Sequence, residues 1–175
     1  MEFSFLYWLQ ELRNPFLDSL MPAVTFLGNG GWFWIFLGVI LLAGKRTRKT
    51  GLAVLLSLLA GLIIGNLFLK NLVARSRPCW IDPSVPLLIG VPQDYSFPSG
   101  HTLASFEAAV SVWFYNRRWG TVLLVLGGII GFSRMYLFVH FPTDVLAGAL
   151  LGTVIAIAVC SLLEKLKPAK QKAAG

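Results

Sequence analysis

The chain has 175 residues, of which 56% are apolar and 13% charged, with a formal net charge of +7 and a mean hydropathy of +0.71. A soluble domain carries about 25% charged residues, so this chain cannot cloak a water-facing core, and its apolar runs match the roughly 20 residues that a bilayer-spanning helix needs. The basic residues fall in short clusters between apolar segments rather than along a polar face with aromatic platforms, which argues against a nucleic-acid partner.

Taken in order, residues 1–13 place Phe5, Trp8, Leu9 and Leu12 at helical spacing, the pattern of an interfacial helix. Phe3, Leu6 and Tyr7 lie on the other side, which leaves a greasy start to the first span as the second reading. The start has no basic n-region or small-residue cleavage site, so no removable signal peptide is expected. Asn14-Pro15 reads as a helix cap followed by proline at the first helical position. Residues 15–43 are apolar but interrupted by Gly28-Asn29-Gly30-Gly31. One straight helix of that length would measure about 43 Å against a hydrocarbon core of roughly 30 Å. A single crossing broken or tilted at the glycines is therefore expected.

Lys45, Arg46, Arg48 and Lys49 form a hydrophilic turn before a second span at 51–69, in which Gly61 and Gly65 suit close helix packing. Residues 79–97, with Pro83, Pro86 and Pro92, read as an external loop or lid. Spans at 99–115, 119–137 and 142–163 follow, with Arg117-Arg118 between the first two and a lysine-rich tail after the last. The expected fold is an all-α integral membrane bundle of five transmembrane helices, or six if the start adds a crossing, with an amino-terminal interfacial helix, in one domain over 1–175. Cys79 in a loop and Cys160 in an apolar run imply neither a disulfide framework nor a metal knuckle.

Ten Lys and Arg lie in the 45–49 turn, at 117–118 and in the tail, whereas five (Arg13, Lys70, Arg75, Arg77, Arg134) lie at the other end. The positive-inside rule makes the first group cytoplasmic. The carboxyl terminus is then cytoplasmic, and the amino terminus and three polar stretches face outside.

Those stretches carry the chemistry. Lys70 and Arg77, seven residues apart, would share a helix face that Pro78 ends, two cations suited to an oxyanion with several oxygens. The bland reading is a pair of snorkelling basic residues, and Arg75, off that face, is expected to snorkel. Pro98-Ser99-Gly100-His101 opens a helix with a cap, a glycine that lets a ligand approach and free N–H groups, an anion site with a histidine beside it; taken alone, the motif reads first as a cap with an interfacial histidine. In Ser133 to Asp144, His140 and Asp144 are spaced so that the carboxylate orients the imidazole, with Arg134 upstream to bind the group attacked. Both histidines of the chain lie in these stretches. Glu107, about 9 Å below His101 along the third span, is either hydrogen-bonded to Asn66 or to the base of the cation cluster, or a structural polar clamp.

Together, Lys70-x6-Arg77-Pro78, Pro98-Ser99-Gly100-His101 and Ser133-Arg134-x5-His140-x3-Asp144 resemble the three signature motifs of the type 2 phosphatidic acid phosphatase superfamily, which includes vanadium haloperoxidases. The resemblance implies that His140 attacks phosphorus and forms a phosphohistidine, with Asp144 orienting it. His101 would protonate the leaving group, and Lys70, Arg77, Ser99, Gly100 and Arg134 would hold the phosphate. It implies no metal and no cofactor. The chain is short for the membrane branch, where six spans are common. The expected function is hydrolysis of a lipid phosphate monoester or pyrophosphate (phosphatidylglycerophosphate, undecaprenyl pyrophosphate, phosphatidic acid or lipid A 1-phosphate) at the external face of a bacterial inner membrane, with the bilayer and lipid as partners and no obligate protein partner. The alternatives are a non-enzymatic lipid-phosphate binder or transporter, and vanadate-dependent oxidative chemistry.

Overall fold

A computed structural model of the protein describes residues 1–166. The rest of the basic tail beyond Lys165, on which the expected orientation of the carboxyl terminus partly rests, lies outside the described residues. The helices are α1 (Glu2–Glu11), α2 (Pro15–Phe26), α3 (Trp32–Ala43), α4 (Arg48–Gly61), α5 (Lys70–Val73), α6 (Pro78–Ile81), α7 (Gly100–Tyr115), α8 (Arg117–Tyr136) and α9 (Pro142–Lys165). Among the described residues, three runs are long and apolar enough to cross a bilayer, Arg48–Ile81, α8 and α9, and α2 with the segment Asn29–Ala43 forms a fourth, bent by 42°. Phe36, Ile40, Leu67, Phe68, Leu150 and Val154 are each more than half exposed on these helices, an apolar surface of the extent that a bilayer covers.

Local chemistry accounts for the boundaries. The Asn14 side chain accepts from Leu17 N–H at the start of α2, and Asn116 accepts from Trp119 N–H at the start of α8. The bend between α2 and α3 sits at Gly30 and Gly31, whose φ values of 57° and 70° belong to the left-handed region that glycine enters without steric cost. α4 runs into a π-helical stretch, Leu62–Leu69, before α5. Ala74, at φ 47°, then ends the helix.

That ending corrects one expectation. Lys70 and Arg77 do not share a helix face, because the helix stops at Val73; Arg77 instead stands just before α6, and Pro78 opens that helix rather than closing the one before. A left-handed Ala74 and an extended Arg77, not helical periodicity, set how the two cations meet.

The 16-residue α7 covers most of the residues expected to form a third span, but at about 24 Å, for 1.5 Å per residue, it is shorter than the roughly 30 Å hydrocarbon core. It packs against α9 and α8 and then α4, so protein rather than lipid surrounds it, and its Ala108 and Ala109 are fully buried. Small residues permit the closeness. A Cβ on Gly148 would lie 2.7 Å from the Ser99 carbonyl oxygen, and one on Gly152 would lie 2.6 Å from that of Leu103.

α1 is docked rather than simply laid on a surface. Leu6 and Leu9 are fully buried against Tyr136, Leu137, Phe138, Val139 and Phe141, with Phe3 packed beside them. Of the residues expected to form the apolar face, Phe5, Trp8 and Leu12 remain exposed. The helix is apolar on both sides; one side covers the loop that carries His140, and the other is left for lipid.

Candidate active site

His140 sits in the turn between α8 and α9 and is 1% exposed. Its Nε2 lies 3.0 Å from Arg77 NH1, on the wall of a cavity of about 660 Å³. On the far side of the ring, Nδ1 is 3.4 Å from Ser96 Oγ and 3.6 Å from Asp144 Oδ2, and Ser96 Oγ donates to that same Oδ2 at 2.5 Å. Asp144 therefore orients His140 with Ser96 between them, too far for a direct hydrogen bond. The carboxylate is itself held: Oδ2 accepts from Phe141 N–H at 2.8 Å, and Oδ1 accepts from Arg75 NH1 at 2.7 Å. Arg75 was expected to snorkel; it instead bonds Asp144, Thr143 and Glu2 and stacks on the Phe141 ring. Burial first, and then the charges of Arg77, Arg134 and Lys70, hold the pKa of His140 well below 6.5. The ring is thus a neutral imidazole, the form with a free lone pair.

Three cations line the cavity. Lys70, Arg77 and Arg134 are 6%, 2% and 4% exposed. Arg77 is aimed by Val139 O, which accepts from NH1 at 2.8 Å, and by Asp94 O, which accepts from Nε at 2.6 Å. Arg134 donates from NH1 to Thr25 Oγ1 at 2.6 Å, while its Nε has no partner among the described residues. The Asp94 carboxylate lies across the first two cations, paired with Lys70 Nζ and at 2.7 Å from Arg77 NH2. Burial alone would raise its pKa, but the hydrogen bond and charge of Lys70 and those of Arg77 outweigh it and bring the value to about 2. Asp94 is ionised at any pH where the protein would work.

His101 also lines the cavity, with Nε2 at 2.9 Å from Asn29 Oδ1. Its ring packs on the α2–α3 bend so closely that a Cβ on Gly28 would lie 2.6 Å from its Cδ2. Gly100 lies on the wall, and a Cβ there would meet Asn66 Oδ1 at 2.7 Å, so a larger residue would have to push the Asn66 side chain aside. Ser99 is fully buried behind that wall, its Oγ accepting from Thr102 Oγ1 at 3.0 Å and its N–H donating to Asp144 O at 3.1 Å. Glu107 and Asn66 line the same cavity, but Glu107 Oε1 has no hydrogen-bond partner among the described residues. The expected bond to Asn66 is absent because Glu107 packs against Gly61, while Asn66 sits beside Gly100.

The structure thus gathers Lys70, Arg77, Gly100, His101, Arg134 and His140 on one cavity with Asp144 behind His140. It adds Asn29, Arg75, Asp94 and Ser96, which reading the motifs alone missed. A signal existed for some: Asn29 is a polar residue inside an apolar run, and Asp94 and Ser96 flank the Pro98 to His101 motif.

A neutral buried imidazole facing fixed cations, with a second histidine on the same cavity in a helical membrane bundle, defines a membrane phosphohydrolase. A model of the PAP2 superfamily matches residues 50–168, and the chain belongs to that superfamily. It is 36% identical over 144 residues to an undecaprenyl-diphosphatase of Sulfolobus acidocaldarius, covering 80% of this chain and 69% of that one. To phosphatidylglycerophosphatase B of Bacillus subtilis it is 34% identical over 174 residues, covering 92% and 82%. The fold matches the crystal structure of a transmembrane PAP2 type phosphatidylglycerolphosphate phosphatase from Bacillus subtilis with a TM-score of 0.78 at 26% identity, over 94% of this chain and 85% of that one. The protein is a membrane lipid phosphatase.

Proposed function

We propose that the protein removes the terminal phosphate of a lipid phosphate monoester or diphosphate through a phosphohistidine on His140, at the outer face of a bacterial inner membrane. The observation that carries this is His140 itself, with Nε2 on the cavity beside Arg77 and Nδ1 backed by Ser96 and Asp144. The Nε2 lone pair attacks phosphorus as the bond to the lipid oxygen breaks, and Nδ1–H is held by the Ser96–Asp144 pair as the ring becomes cationic. His101 gives its proton to the departing lipid oxygen. A water then attacks the phosphohistidine, giving a proton to His101 and releasing inorganic phosphate. Lys70, Arg77, Arg134 and the Gly100 N–H stabilise the phosphoryl oxygens throughout.

Phosphatidylglycerophosphate, undecaprenyl pyrophosphate, phosphatidic acid and lipid A 1-phosphate all present such a phosphate. The test is phosphate release by the purified protein across these four lipids with a chelator present. Release from at least one is expected, and His140→Ala should abolish it while lipid binding persists. Activity that the chelator removes would overturn the metal-free mechanism.

A further inference from the structure

We infer that Asp94 is a specificity-determining residue: its carboxylate is a resident anion in the phosphate cradle and sets an affinity threshold that phosphodiester headgroups fail to pass and phosphate monoesters or terminal diphosphates do. The inference rests on the phosphatase reading of the site.

The carboxylate spans Lys70 and Arg77, the cations a phosphoryl group would need. It leaves the third cation unserved: Arg134 Nε, buried on the same cavity, has no partner among the described residues. Two carboxylate oxygens and one charge serve two cations. A monoester brings three terminal oxygens and a second charge, enough for all three. A phosphodiester brings two free oxygens and one charge, no more than Asp94 already supplies, and it must compete with a group tethered at high effective concentration. The competition matters at this site. Bulk bilayer phospholipids are phosphodiesters, and they reach an interfacial cavity by the same lateral route as the substrate. Without a resident anion, two buried arginines and a lysine would be filled by whichever headgroup is commonest.

The geometry also lets Asp94 leave. Its side chain is 55% exposed, at the outer side of the cradle, so a displaced carboxylate swings toward water rather than into apolar surroundings. Its backbone stays put, since Asp94 O and Tyr95 O accept from Arg77 at 2.6 and 3.3 Å. Arg77 is therefore positioned by the loop backbone, and the carboxylate is the exchangeable part.

The test compares wild type with Asp94→Asn in neutral detergent micelles, reading phosphatidic acid hydrolysis with inorganic phosphate or phosphatidylglycerol as competitor. A resident anion predicts that its removal tightens every ligand: KM and both inhibition constants fall about tenfold. In vesicles rich in phosphatidylglycerol, the diester should then occupy a larger share of the Asp94→Asn cradle, so the variant loses a larger fraction of its diester-free rate than wild type does. A purely positioning role predicts the opposite sign, with KM and both inhibition constants rising, and that result, or changes within about twofold, would overturn the inference. Asp94→Ser is read in the same way if the asparagine variant does not fold. Failure of the wild type to release phosphate from any lipid would strike the phosphatase reading instead, so the two failures are distinguishable.

Discussion

A departing alkoxide needs a proton and a departing aryl oxide does not, and that difference isolates what Asn29 does for His101. Asn29 comes from the α2–α3 bend, far in sequence from His101, and its Oδ1 engages one ring nitrogen at 2.9 Å. With that nitrogen held, the ring plane is set, and on the proposed mechanism the other nitrogen faces the leaving group. Asn29→Ala should lower kcat for an alkyl phosphate about tenfold, the worth of one well-placed hydrogen bond, and leave kcat for p-nitrophenyl phosphate nearly unchanged. A general loosening of the fold would slow both substrates alike, so parallel losses would show that Asn29 is only structural. The same residue shows what the sequence hides. An Asn among glycines in an apolar run marks a break, but only the bend of 42° places it over a histidine some seventy positions later.

At the scale of elements, the close crossing of α7 and α9 sets the distance between the α7 N-terminus and the turn before α9. Gly148 and Gly152 bring α9 against the α7 backbone, and Ser99 N–H bonds the Asp144 carbonyl across the junction. Gly152→Leu would drive a side chain into the Leu103 carbonyl, and an overpacked contact costs typically 1–3 kcal/mol and occasionally more. The expected outcome is a lower melting temperature together with a loss of kcat, as Gly100 and His101 move relative to His140; an unchanged melting temperature would mean that the helices separate freely. This crossing also shows how much of the site could be read in advance. The residues of all three motifs were legible because fixed spacings of cations and histidines at span ends have few other uses. Their arrangement was less so. Lys70 and Arg77 come together through a π-helical stretch and a left-handed Ala74, which no hydrophobic period encodes. Arg75, Ser96 and Asp94 act through a turn and a loop, where position in sequence says little about direction in space. Glu107 could be read either as hydrogen-bonded to Asn66 or the cation cluster or as a structural polar clamp; it packs against Gly61, and its Oε1 has no partner among the described residues.

For the whole molecule, the remaining question is which way the bundle faces. The helices deliver every candidate site side chain to one end, the end opposite the 45–49 turn and the Asn116-Arg117-Arg118 turn. Ten of the fifteen Lys and Arg belong to the far end and the tail. The bias acts on the chain as it inserts, before Lys70, Arg77 and Arg134 are buried by folding, so all five basic residues at the catalytic end count against the ten and still lose. The catalytic end should therefore lie outside the cytoplasm, where a diphosphate or monoester left on the outer leaflet would be met. Two exposed positions test this: Ser84 in the long loop and Thr47 in the turn between α3 and α4. The native cysteines, Cys79 and Cys160, are 6% and 0% exposed and give little background. In intact bacterial cells stripped of their outer barrier, a membrane-impermeant maleimide should label Ser84→Cys and should reach Thr47→Cys only after lysis. The reverse pattern would place the site in the cytoplasm, and the substrate would then have to be a lipid phosphate of the inner leaflet.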